Sequence, residues 1–521
     1  MGSDRKLDLR VTAAVFLLIF AAFSFAYSTV YGPVGEFGNY IAASRWSSVY
    51  GMFFRPLSLN LFPYWLNEGL GISFSRYSYV FSALFCLGIF ISVAFLIQML
   101  RWSSRENFKV TYFVDPLFLI LFGFSNVFII TTLMIQYTIT DFLFMCSYAL
   151  FLLSILRFLN NGSLEWRDGV LAVLGLTLMC GSKEFTLVTP VMLLFLLVLR
   201  FRPAIRLVKE HPARVLVVAL LLSVVASLYV MFLVTQPTYI ANTLAGGAPP
   251  GEDFIRASSA KFLSNLWTCL LWVGQVPLQG NYPYVFNPLP LLGPVSTAIL
   301  WTYGIVLILG WIAAFSHRDF RPAAVFNLVG ILFWIVLAAS NNRALSSYLA
   351  PAFLHGAILW AMGAWVTLER IGSSWFSGSV KVACLGLLIW SMWLGSNTLY
   401  SPDRTVSFHG AMAASDGQLR STLRAIAQNF DRFQVTFDLN GAPDYVPFHL
   451  HLGGRLASSQ LFVMDDFVVD SKANTVLVKG HRPGVAADGE YVRVIVRVEP
   501  DPLKGSRFRF VSGMPLAASS Q

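Results

Sequence analysis

The chain has 521 residues, 56% of them hydrophobic and 12% charged, where ordinary soluble domains carry roughly a quarter charged residues. A mean hydropathy of +0.64, with apolar runs of about 18 residues or more recurring along the chain, excludes a soluble globular enzyme and places most of the protein in lipid. The formal charge of +10 would suggest nucleic acid in a soluble protein; here it follows membrane sidedness, and nucleic acid is not an expected partner.

Taken in order, the first apolar run, Val11–Val30, is long and aromatic-rich and lacks a small-x-small site before the loop that follows. It reads as a retained helix, not a cleavable signal. Next comes Tyr31–Tyr77, a long polar and aromatic loop that holds Glu36, Arg45 and Arg55. Ten further spans are expected near 78–100, 115–134, 141–158, 169–183, 186–200, 214–235, 289–315, 323–340, 347–368 and 379–398, eleven in all. With the N-terminus in the cytoplasm, the inner segments hold 17 Lys and Arg and the outer loops 7, which satisfies the positive-inside rule. The odd number of spans then puts everything after Leu399 outside. The location expected is a bacterial inner or plasma membrane.

Two outer regions differ from the spans. Residues 236–288 open with the Gly/Pro-rich run LAGGAPPGED, continue through an amphipathic Trp-bearing stretch, Phe262–Val276, suited to a membrane interface, and close on NYPYVFNPLP. Segments of this kind often cover a site. The tail, residues 400–521, has shorter apolar runs and more charge. Gly417–Asn429 has helical spacing, while Arg432–Leu439, Thr475–Lys479 and Tyr491–Val498 pattern as strands. The expected organisation is a transmembrane domain over 1–399 and a small extracytoplasmic α/β domain over 400–521. His449 and His451 in the tail read as a surface pair and not as a metal site.

Five cysteines, Cys86, Cys146, Cys180, Cys269 and Cys384, all lie in or beside apolar spans without CxxC spacing. They are read as small core residues, neither a metal site nor a disulfide framework. No cofactor is expected, a divalent cation being left open.

Ionisable groups at membrane depth are costly and hence functional candidates. Lys183 and Glu184, in CGSKEFTLVTP, stand where the fifth span reverses. They are read either as a local ion pair capping the turn or as a phosphate-binding lysine with Glu184 orienting its surroundings. Asp141, in QYTITDFLF, opens the fourth span at the same face; it caps the helix N-terminus or serves the site. Arg343, in SNNRALSSYLAP with Tyr348 and Pro351 close behind, runs against the charge bias and reads as a ligand residue. Glu36, Arg55, Lys183 and Arg343, with Asp141 nearby, thus converge on one membrane face. Arg and Lys can hold the phosphate of a lipid-linked sugar donor by charge-assisted hydrogen bonds and stabilise the charge it gains on leaving. A carboxylate can deprotonate an acceptor hydroxyl. No GxGxxG or GxxxxGK loop is present for a cytosolic nucleotide-sugar donor.

At these residues the chain resembles the GT-C superfamily of multi-spanning glycosyltransferases that use polyprenyl-phosphate sugars. It is most similar to the membrane half of the TPR-containing protein O-mannosyltransferases and their bacterial relatives. FFRPLS resembles the family's aromatic-Arg-Pro-Leu motif, GSKEFTLVTP its Ser-Lys-Glu motif, and NNRALSSYLAP its Arg…Tyr…Pro motif; Asp141 sits where the family often begins a span with Asp-Leu. The resemblance covers roughly residues 11–400. Glu36 stands alone where the family has an acidic pair, and no TPR repeats follow. The resemblance implies a GT-C-like fold and transfer from a polyprenyl-phosphate sugar to a cell-envelope glycan, glycolipid or protein. Glu36 or Asp141 would be the catalytic carboxylate, with Arg55, Lys183 and Arg343 on the phosphate and Arg45, Glu184 and Tyr348 in support. The alternatives are a transporter of lipid-linked sugars and a non-catalytic scaffold that binds polyprenyl lipid.

Overall fold

The structure, a computed structural model, describes residues 2–28, 70, 77–103, 114–124, 139–162, 165–235, 258–273, 294–340, 349–371, 378–383 and 386–387 of the helical region. In the tail it describes 419, 421–438, 461–470, 473, 475–486, 488–500 and 508–512. The described helices are α1 (Gly2–Ser28), α2 (Tyr77–Ser103), α3 (Val114–Gly123), α4 (Ile139–Asn161), α5 (Trp166–Ser182), α6 (Thr189–Leu199), α7 (Phe201–Glu210), α8 (Pro212–Thr235), α9 (Ser259–Val273), α10 (Pro294–Ser316), α11 (Arg321–Ala339) and α12 (Ala350–Ile371). Short 3-10 turns, Glu184–Val188 and Arg318–Phe320, lead into α6 and α11. Among the described residues five helices are long and apolar enough to cross a bilayer. The protein is an integral membrane protein.

The core lies where α2, α4, α11 and α12 pack together, with α3 and α5 against them. Phe95, Leu96, Tyr148, Leu152, Phe326, Trp334, Leu354 and Ile358 are buried there. In lipid the apolar effect does not press helices together, so close contact and hydrogen bonds must do it. The α10–α12 pair shows both. A β-carbon on Gly363 would collide with the Gly310 carbonyl oxygen, so the two backbones touch because glycine stands at the crossing. Near it, Trp311 Nε1 donates to the Gly356 carbonyl at 2.8 Å and Trp360 Nε1 to the Val306 carbonyl at 3.1 Å. α9, the amphipathic stretch of the outer segment, packs on α11, and Asn265 Nδ2 donates to the Ala339 carbonyl at 3.3 Å. Its Leu263 and Trp267 face outward.

One end of the bundle gathers the basic residues. Arg200 donates to the Leu159 carbonyl at 3.0 Å and to Asn160 Oδ1 at 2.8 Å. Asn160 Nδ2 donates to the Gln98 carbonyl at 2.9 Å, and Trp102 lies 5.4 Å from the Arg200 guanidinium. The C-terminal ends of α2, α4 and α6 are therefore tied, and the guanidinium meets α4's last carbonyls, where a helix favours positive charge. Arg157 pairs at 3.1 Å with the fully buried Asp168 at the start of α5, and Lys381 pairs with Asp115 at the start of α3.

In the tail, five strands form one sheet in the order β2-β3-β1-β4-β5: β1 (Arg432–Asp438), β2 (Val463–Asp470), β3 (Thr475–His481), β4 (Val492–Pro500) and β5 (Phe508–Ser512). β1 and β4 run parallel; the other pairs are antiparallel. Register stacks Val478, Val435 and Val494 in one row and Val476, Phe437 and Val496 in the next. All six are buried, as strand alternation requires. The helix at 421–429 adds Leu423 and Ile426 to the buried set. The expected helix and three strands are present, and β2 and β5 extend the sheet. Residues 388–400, with most of the eleventh expected span, and His449 and His451 lie outside the described residues.

Candidate active site

Lys183 is the candidate whose side chain the structure places. It is fully buried at the break between α5 and the 3-10 turn. The break is local and well bonded: Lys183 has extended backbone (φ −158°, ψ 143°), and its N–H donates to the Met179 carbonyl at 3.1 Å. Its own carbonyl accepts from Thr186 N–H at 3.2 Å and Thr186 Oγ1 at 2.8 Å. This leaves the chain turned sharply, with the Lys183 Nζ 4.6 Å from the centre of the Phe185 ring. That is a cation–π contact in a desolvated place, where such contacts are strongest. Lys183 lies at the opposite end of α5 from Asp168 and so at the opposite end of the bundle from the basic face.

Aromatic rings join this corner to two neighbouring helix ends. Phe185 lies 6.2 Å from Phe144 and 6.0 Å from Trp334, and those two lie 5.6 Å apart. Phe144 is one turn inside the start of α4, which carries Asp141 in its first turn. Trp334 is near the end of α11, beyond which the chain leads to Arg343. Glu184 opens the 3-10 turn beside Lys183. The described backbone thus brings Lys183, Glu184, the Asp141 end of α4 and the exit of α11 to one end. The side chains of Asp141 and Glu184 lie outside the description. So do residues Glu36, Arg45, Arg55, Arg343 and Tyr348.

Directly beneath this corner is a polar chain that the reading of the sequence missed. Trp334 Nε1 donates to the Tyr148 hydroxyl at 3.4 Å. That hydroxyl and His355 Nε2 are 2.9 Å apart, as are His355 Nδ1 and Asn327 Oδ1. Asn327 Nδ2 donates to the Ala323 carbonyl at 2.8 Å, so its Oδ1 is the acceptor toward the ring. The proton on His355 therefore sits on Nδ1, and Tyr148 donates to Nε2. Every donor in the chain has an acceptor, running one way from Trp334 to Ala323 across α11, α4 and α12. Gly330 makes room: a β-carbon there would come within 2.5 Å of the His355 ring. The signal was a lone histidine and a lone asparagine, each interrupting an apolar span.

Cys146, Cys180 and Cys269 are buried free thiols and Cys86 is half-buried, in keeping with small core residues; Cys384 lies outside the description. Among the described residues no three His, Cys, Asp or Glu side chains gather where a metal could bind.

No family model matches the chain, and no curated protein matches its sequence. Among solved structures, the chain is similar to the crystal structure of ArnT from Cupriavidus metallidurans bound to undecaprenyl phosphate. The identity is 13%, the match covers 86% of this chain and 75% of that one, and the TM-score is 0.46. No residue's role here rests on this likeness.

Proposed function

We propose that the protein is a membrane glycosyltransferase that moves a sugar from a polyprenyl-phosphate donor to an acceptor on the membrane face opposite its basic end. The observation that carries this reading is the fully buried Lys183 at the corner where α4, α5 and α11 meet. Ionisable residues at membrane depth are functional candidates by default, and a lysine cation suits an anionic ligand bound at that corner. In this reading the basic end faces the cytosol, and the α/β domain lies outside with the site.

Arg55, Lys183 and Arg343 grip the donor phosphate through charge-assisted hydrogen bonds. Glu36 accepts the proton of the acceptor hydroxyl, Asp141 being the alternative base. The new bond joins the acceptor oxygen to the anomeric carbon. The bond from that carbon to the phosphate oxygen breaks with its electron pair, and polyprenyl phosphate leaves against the three cations. Arg45, Glu184 and Tyr348 support this arrangement. The acceptor is a glycan, a glycolipid or a protein of the cell envelope.

The test is transfer of radiolabelled lipid-linked sugar in membranes. Glu36→Gln is expected to abolish transfer while the protein stays folded and lipid-bound; full activity in that variant removes the assignment. Lys183→Met, which keeps the buried bulk, is expected to weaken donor binding by more than ten-fold, about 1.4 kcal/mol, with a smaller effect on thermal unfolding.

One observation favours a second reading, a translocator of lipid-linked sugars. The Tyr148–His355–Asn327 chain puts polar groups in the middle of the bundle, where a translocator needs them. Movement of labelled donor across the bilayer without bond formation would establish that function instead.

A further inference from the structure

The ten-residue helix α7 presents three different faces. At 3.6 residues per turn, Ala204 and Leu207 share one side; Leu207 is buried and Ala204 half-buried against the bundle. Next to them, Val208, Phe201 and Ile205 form a contiguous apolar strip, 50%, 63% and 38% exposed. Beyond that strip Lys209, Arg202 and Arg206 line up, all exposed, with Glu210 at the far edge. No carboxylate among the described residues forms an ion pair with these three cations.

The helix is a separate rod. Its flanking residues, Arg200 (φ −111°, ψ 30°) and His211 (φ −133°, ψ 50°), break it from α6 and α8. α6 leaves the bundle and α8 re-enters it at the same end, the one where Arg200 is bonded to the close of α4. α7 therefore runs along that end for about 15 Å. Both neighbouring helices also carry outward-facing apolar residues, Leu194 and Val198 on α6 and Leu216 and Val217 on α8.

We propose that α7 lies in the bilayer interface and binds anionic phospholipid. Val208, Phe201 and Ile205 enter the acyl boundary while Lys209, Arg202 and Arg206 meet headgroup phosphates. The apolar, outward-facing helices α6 and α8 on either side in the chain select lipid over an acidic protein, and the row of cations selects anionic over neutral headgroups. The inference does not depend on the transfer chemistry.

The test is native mass spectrometry of the full chain released from bilayers of mixed phosphatidylglycerol and phosphatidylcholine. The protein is expected to retain phosphatidylglycerol selectively. Arg202→Gln, Arg206→Gln and Lys209→Gln should each lower that enrichment about five-fold, and the triple variant should remove it. Arg167→Gln, an equal charge change at the same end, should leave enrichment intact. Parent-level retention in the triple variant overturns the proposal, as does an equal loss in Arg167→Gln. Should the glutamine variants fail to fold, the charge-preserving Arg202→Lys/Arg206→Lys protein decides: it must hold phosphatidylglycerol at the parent level, and loss there overturns the proposal.

Discussion

Two histidines, one in the helical bundle and one in the tail, show how solvent chooses a side chain's company. His355 has no access to water, and its partners are an amide and a phenol. Neither bears a charge, so the ring stays neutral and each hydrogen bond has a fixed direction. His481 is on β3, 12% exposed, and its Nδ1 is 2.7 Å from Asp465 Oδ1. The other oxygen of Asp465 accepts from the Tyr491 hydroxyl at 3.0 Å. Asp465 reaches both because β2 bulges between Met464 and Asp466 and re-aims one side chain, as bulges do. A carboxylate is tolerable beside water; within the bilayer it would carry a desolvation cost that the ring could not offset.

The contrast can be broken, most severely, with His355→Leu. This leaves the Tyr148 hydroxyl and the Asn327 carbonyl without their shared partner, at a cost of roughly 2–5 kcal/mol, read as loss of stability in detergent unfolding. Gly330→Ala pushes the ring without removing it and should cost about 1–3 kcal/mol in the same assay. Asp465→Asn, in the half-wet cluster, should cost only about 1 kcal/mol, seen as a lower unfolding midpoint of the tail in the full chain. The smallest effect is one of pH. Burial, then the hydrogen bond to Asp465 and that carboxylate's charge, hold the Tyr491 phenol above its ordinary value of 10.0. The folded state keeps its proton longer than the unfolded chain does, so this contribution is intact below pH 10.0 and is lost as pH rises through the higher folded value. Tyr491→Phe should flatten the alkaline fall in stability.

The spans were legible because lipid imposes length and apolarity on each one separately, and α1 to α12 fall on the expected runs, with α7 between two of them and α9 on the amphipathic stretch. The two strands that were missed, β2 and β5, are the edges of the sheet. Edge strands carry charges that protect them from pairing, and Asp465, Asp466 and Arg509 blur the alternation there. The lysine corner was legible as a charge where lipid forbids one. Tyr148, Asn327 and His355 were not, because nothing in the apolar span around each one points to its partners on the other helices. Their meaning appears only when residues 207 positions apart come within 2.9 Å.

The paired indoles of α10 and α12 limit how this protein can move. Each donor serves a carbonyl on the opposite helix, and both are satisfied at a single axial register. Sliding by one turn, about 5.4 Å, would carry the Gly310 carbonyl off Gly363 and onto a residue with a β-carbon, for which the touching backbones leave no room. Any working motion along this seam is therefore a rocking about the glycine crossing, never a piston stroke.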